Sequence, residues 1–175
     1  MDARVIEIVR NYRARIMDKN IFFKPNIPDR KLNNVINSYA MGVRPSQALM
    51  LIDNTVFGNA KDGALLTPNA LYAHNITEKP FRVELAGLST VGFVEGMTSV
   101  LLVNDRRFLE TNLPEKYNMR LIMEMLREII EVFHPSNTDT TDPMEALKKL
   151  KDLFEAGILN ATEYEEKKRK YLNMI

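Results

Sequence analysis

At 175 residues the chain is the size of one ordinary domain with an appendage, and its 45% hydrophobic content is enough to build a core. Its 24 basic and 23 acidic residues leave a net charge of +1, too even to point by charge alone to nucleic acid or an anionic membrane. Cysteine is absent, which excludes disulfides, thiolate nucleophiles, iron–sulfur clusters and cysteine-held zinc, and a two-histidine metal site could use only His74 and His134.

No apolar run approaches the ~20 residues needed to span a bilayer. The opening segment MDARVIEIVRNYRARIM carries no hydrophobic export signal, so a cytoplasmic protein is expected. Residues 3–17 read as an amphipathic helix, with Val5, Ile8, Val9, Tyr12 and Ile16 at three- and four-residue spacing. Arg4, Arg10, Arg13, Arg15 and Lys19 flank that stripe. A basic amphipathic helix suits an anionic membrane surface, but Glu7 and the modest stripe favour a solvated face on a helix packed against its own domain. Lys24-Pro-Asn-Ile-Pro28 breaks the chain. A second helix then runs from Asp29 to Ala40 with Leu32, Val35, Ile36 and Tyr39 on one side, and Gly42 stops it.

A strand-rich region follows. Ala48–Val56 alternates weakly, Asp62-Gly63 marks a turn, and Leu65–Thr67 and Leu71–Ala73 are short strands around Pro68-Asn69. Asn75–Lys79 is a second turn, after which Phe81, Val83 and Leu85 alternate with Arg82 and Glu84 as in a half-buried strand. Val91–Val94 and Ser99–Val103 flank a hairpin turn at Glu95-Gly96, Asn104-Asp105 closes the second of them, and Arg106–Glu110 gives a last strand. Short strands with frequent turns suggest a small antiparallel barrel or sandwich. Asn112 and Pro114 read as the cap and first residue of a long helix, whose stripe is Leu121, Ile122, Met125, Leu126, Ile129, Ile130 and Phe133, with His134 at its end.

The polar segment 135–141 is the one clear boundary. Beyond it, residues 142–175 read as a helix pair: Asp142-Pro-Met-Glu145 opens the first helix, Gly157 ends it, and Asn160-Ala-Thr-Glu163 opens the second. The pair is too small to be self-sufficient, so it is expected to pack on its own domain or on another chain.

The pattern ALKKLKDLFEAGILNATEYEEKKRKYL is similar to the SHOCT family of short C-terminal helix pairs, found on many bacterial proteins. Leu147, Leu150, Leu153, the Ala156-Gly-Ile-Leu159 turn, Glu163, Tyr164 and Lys167-Lys168 carry the resemblance. Asn160-Ala161 and Phe154 depart from the family's usual residues. Gly63–Tyr72, Val83–Val91 and the helix after Pro114 resemble a bacterial PH-like domain, a bent antiparallel sheet capped by a C-terminal helix, over roughly 48–134. The resemblance leaves the two N-terminal helices outside that domain and implies interaction or oligomerisation, not a defined reaction. The lipid binding of eukaryotic PH domains does not carry over, because only Lys61 is basic between the first two strands of the domain.

The expected architecture is therefore α+β: an N-terminal helical segment (1–47), a bent PH-like sheet or barrel capped by a long helix (48–134), a linker (135–141) and a SHOCT-like helix pair (142–175). Neither histidine sits in a catalytic pattern. His74 with Asp53 or Glu84 has no linking motif, and His134 suits a helix C-terminus. The glycines are scattered, so no phosphate-binding loop is present. Met97, Met119, Met123 and Met125 fit core filling better than an adaptable binding surface. No enzyme activity, cofactor or metal is expected. The leading expectation is a binding or scaffolding protein that forms a homo-oligomer or recruits a protein partner through Leu147, Leu150, Leu153, Phe154, Ile158, Leu159 and Tyr164. The alternative is a membrane-surface or nucleic-acid module that contacts polyanions through Arg10, Arg13, Lys167, Lys168, Arg169 and Lys170. Seven acidic and seven basic residues make the tail neutral, which weakens that alternative.

Overall fold

The continuous hydrophobicity of Leu49–Ile52 and Ala64–Leu66 suits strands covered on both faces rather than strands with one wet side. The computed structural model, which describes residues 3–135, 143–155 and 160–172, places them at the centre of such a sheet. Strands β1 (Ile21–Phe23), β2 (Met50–Asp53), β3 (Gly63–Leu66), β4 (Ala70–His74) and β5 (Phe81–Glu84) form an antiparallel sheet in sequence order. Strands β6 (Val91–Val94), β7 (Ser99–Val103) and β8 (Arg106–Thr111) form a second antiparallel sheet. The described helices are α1 (Ala3–Arg13), α2 (Asp29–Ile36), α3 (Lys116–Phe133), α4 (Pro143–Glu155) and α5 (Ala161–Leu172). The chain divides into two compact units, Met1–Pro135 and Ser136–Ile175. Among the described residues the strands form two separate sheets and no closed barrel, and the mixed helix and sheet architecture with antiparallel pairing matches the α+β expectation.

Alternation along each central strand divides the body into two cores. Met50, Ile52, Ala64, Leu66, Leu71 and Ala73 point into the larger one, with the second sheet, α1 and α3. Leu51, Leu65, Ala70 and Tyr72 point the other way, where Leu32, Val35, Tyr39 and Ala40 of α2 and the turns after it cover them. This is why β2, β3 and most of β4 are buried at every position, and why Ala48–Val56 alternates so weakly in sequence. The first 47 residues thus contribute to both cores: Val5, Val9, Tyr12 and Ile16 to the larger, and Leu32, Val35 and Tyr39 to the smaller. The α1 stripe packs inward, which withholds its apolar face from any membrane surface.

Several boundaries differ from the sequence expectation for physical reasons. α1 stops at Arg13, and the amides of Arg15 and Ile16 close a turn on the Tyr12 carbonyl. β1, a three-residue strand, pairs with β2 in the register Ile21–Ile52 to Phe23–Met50 and was not legible as a strand. Gly63 is a strand residue facing Asp53 and His74, not a turn residue. Its φ of +143° and the Ile52 carbonyl, 2.0 Å from where a Cβ would lie, exclude any side chain. α3 begins at Lys116, and Asn112 does not cap it. Asp18, far away in sequence, serves this end instead, accepting from the Glu115 amide at 2.8 Å, and the Asn118 side chain donates to the Met17 carbonyl at 3.0 Å. Asn104-Asp105 closes β7 as expected, and joins it to β8 as a hairpin. Both residues have positive φ, as a two-residue turn of this kind requires, and the Asn104 side chain ties the turn to Gly87, Ser89 and Thr90.

Candidate functional site

The helix pair is built around Leu150, which is 5% exposed, with Leu147 half-buried. Phe154 stacks on Tyr164 across the pair, with ring centroids 4.5 Å apart. The second helix opens at the Asn160–Glu163 segment, as expected, and does so through a reciprocal cap: the Glu163 amide donates to Asn160 Oδ1 at 3.0 Å, and the Asn160 amide donates to the Glu163 carboxylate at 3.1 Å. Leu153, Phe154 and Leu172 remain 42%, 38% and 50% exposed. Ile158 and Leu159 lie outside the described residues. Of the basic run, Lys168 pairs with Glu165 at 3.2 Å and lies over the Tyr164 ring, while Lys167 and Arg169 are exposed; the Lys170 side chain is outside the description.

The second assembly of sequence-selected residues is a cleft in the body. Arg10 and Arg13, one turn apart on α1, line it together with Lys24, which follows β1. Ile6, Val9, Phe23, Pro25 and Leu49 supply the rest of its lining, and its volume is about 370 Å³. Arg13 Nη1 donates to the Lys24 carbonyl at 3.0 Å, and Lys24 Nζ donates to the Ser46 carbonyl at 2.7 Å. The sequence singled out the two arginines but not Lys24, because only the pairing of β1 with β2 brings Lys24 beside α1.

The acid–base candidates separate into two structural clusters. Asp53 is fully buried, paired with Lys31 and bonded by the Thr55 amide at 2.9 Å and the Ala60 amide at 3.2 Å. Burial would raise its carboxyl, but the hydrogen bonds from Lys31 and Thr55 outweigh burial and hold it below the usual range. Lys31 also donates to the Gly58 carbonyl at 2.8 Å, so this pair fastens the β2–β3 loop to α2. His74 Nδ1 lies 2.8 Å from the Lys61 carbonyl and 3.9 Å from Asp62, and its ring stacks on Tyr39. Burial raises the Asp62 carboxyl and, with the nearby Asp53 and Asp62 charges, the Tyr39 phenol. Glu84 is exposed and pairs with Arg82, away from both clusters. Among the described residues no group of three or more histidine and carboxylate side chains is placed to hold a metal ion. Met119 and Met125 are fully buried, Met123 packs on the core, and Met97 is fully exposed on a turn, so the methionines of α3 fill space. Among the described residues no helix is long and apolar enough to cross a membrane.

The fold and helix pair define an α+β protein with antiparallel sheets and a C-terminal helical appendage. Residues 145–172 match the family model described as Short C-terminal domain, SHOCT. An uncharacterized protein of Archaeoglobus fulgidus is 53% identical over 34 residues, which cover 19% of this chain and 18% of that protein. The match therefore spans less than a fifth of either protein. No solved structure matches the chain.

Proposed function

We propose that this is a non-catalytic binding or scaffolding protein, in which a PH-like body carries a helix pair that self-associates or captures a protein partner. The observation that carries the reading is the exposure of Leu153, Phe154 and Leu172 on a unit whose own interior holds little more than Leu150 among the described side chains. A helix pair of this size buries too little to be independently robust, and covering the part of two or three such side chains that is still exposed contributes roughly 1 kcal/mol each. Two antiparallel sheets with one long helix behind them support a PH-like body, a scaffold that hosts binding without chemistry of its own.

The test is the solution mass by light scattering of the full chain, of a chain ending at Ser136, and of the full-length Leu153→Asp variant. Leu153 is chosen over Leu150 because Leu150 holds the pair itself together. An oligomeric full chain with a monomeric truncation and a monomeric, still helical Leu153→Asp variant is the expected result for self-association. Equal masses for all three, at oligomer size, remove the helix pair as the assembly element. Three monomers leave a foreign protein as the partner.

A further inference from the structure

Five cations of the body are neutralised where they stand. Arg15 pairs with Glu124, Lys31 with Asp53, Arg82 with Glu84, Arg107 with Glu78 and Glu110, and Arg120 with Glu95. The cleft between α1 and β1 instead gathers three cations around one concavity. No acidic residue lines it, and Arg10, Arg13 and Lys24 form no ion pair among the described residues. Arg13 and Lys24 are held only by neutral carbonyls, which position them and leave their charge uncompensated. Arg10 makes no hydrogen bond among the described residues, so its planar fork of donors is free. Beside these cations the lining is apolar: the half-buried Ile6 and the exposed Pro25 present their surface over a base of Val9, Phe23 and Leu49.

We propose that this cleft binds a small amphiphilic anion, a carboxylate or phosphate attached to an apolar body. The two guanidiniums and the ammonium take the anionic head by charge-assisted hydrogen bonds, which are stronger than neutral ones. The floor of Ile6 and Pro25 over Val9, Phe23 and Leu49 takes the apolar body. A volume of about 370 Å³ lies at the small end of ligand pockets, fitting a short chain or compact ring rather than a large cofactor. A nucleic-acid backbone would not use the apolar floor, and its affinity rests on many phosphate contacts rather than three cations in one concavity. This inference concerns the body alone and does not depend on what the helix pair binds.

Calorimetric titration of the full chain with octanoate, octyl phosphate and inorganic phosphate tests it, alongside flotation with phosphatidylglycerol vesicles. The expected result is saturable binding of octanoate or octyl phosphate that weakens about tenfold or more in Arg10→Glu and with added salt. Arg10→Lys should retain most of the affinity. Arg10 is exposed and unbonded, so both variants should fold, which circular dichroism checks. Absence of saturable binding by both octyl probes overturns the proposal, as does unchanged affinity in Arg10→Glu. Inorganic phosphate binding as tightly as octyl phosphate makes this a plain anion site and overturns the role of the floor. Vesicle binding without binding of the soluble probes assigns the surface to a membrane instead.

Discussion

The body and the helix pair solve the same burial problem at opposite extremes. In the body, one five-stranded sheet is covered on both faces, and Leu51, Leu65 and Leu66 are fully enclosed. In the pair, two amphipathic helices meet along a single seam in which Leu150 is enclosed while Leu153 and Phe154 stay over a third exposed. A sheet closed on both faces leaves its neighbourhood only clefts, edges and scattered loop and turn side chains such as Val56, Phe57 and Met97. A helix pair that has not covered its apolar stripe offers a face. The two proposals follow this difference: a small molecule in a concavity of the body, and a protein on the pair.

The largest expected effect that would sharpen this contrast comes from Phe108→Ala. Phe108 is fully buried and meets Phe81 edge-on at 5.7 Å, in the core shared by both sheets and α3. Truncation should cost about 3–5 kcal/mol of body stability. Denaturant unfolding followed by body amide signals in NMR measures it, while the amides of 143–155 and 160–172 should keep their wild-type shifts and their wild-type midpoint. Collapse of both sets together would mean that the regions fold as one cooperative unit and would break the contrast.

A smaller effect is expected from Asp53→Asn. It leaves Lys31 without its buried partner, and because Lys31 reaches solvent the cost should be about 2–3 kcal/mol. The pH dependence gives a second reading. The folded Asp53 carboxyl sits below its ordinary range, so its stabilising contribution is present above the unfolded value, near about pH 4, and is lost as pH falls from there through the lower folded value. Asp62 has the opposite sign: its folded carboxyl is raised by burial, so its ionisation costs stability as pH rises above the unfolded value. Urea melts of wild type and Asp53→Asn between about pH 2 and 6 should therefore differ by an amount that shrinks as the acid limit is approached. A constant difference across that range would place the effect of the substitution outside the Lys31 pair.

The same contrast governs how far the sequence could be read. The amphipathic stripes of α1 and α3 and the turn at Asn104-Asp105 were legible, because periodicity and turn chemistry are local. β1 was not: three residues beside Lys24-Pro25 carry no period, and the strand exists through its pairing with β2. The start of α3 was misplaced because Asp18, 97 positions earlier, serves that end of the helix, while Asn112 lies before it. The cleft was half legible. Arg10 and Arg13 lie on a visible helix face, whereas Lys24 and Leu49 reach them only through tertiary placement. Leu153 and Leu150 looked equivalent in sequence, and only the geometry of the pair separates the residue that holds it together from the one it leaves outward.

The smallest expected effect isolates the pair from the body. In Asn160→Ala, the Glu163 amide loses its side-chain acceptor while the Glu163 carboxylate can still reach the amide of residue 160. Half of the capping box is removed at an exposed site, so the loss should be about 1 kcal/mol and confined to α5. Hydrogen exchange of the α5 amides should quicken roughly fivefold, which is that free energy expressed as an opening constant, while β2–β4 amides stay unchanged. If self-association covers the outward face of the pair, α5 exchange should slow as protein concentration rises, in wild type and variant alike, because association stabilises only the folded pair. Exchange rates independent of concentration in both would mean that association leaves α5 free to fray and takes place elsewhere in the molecule.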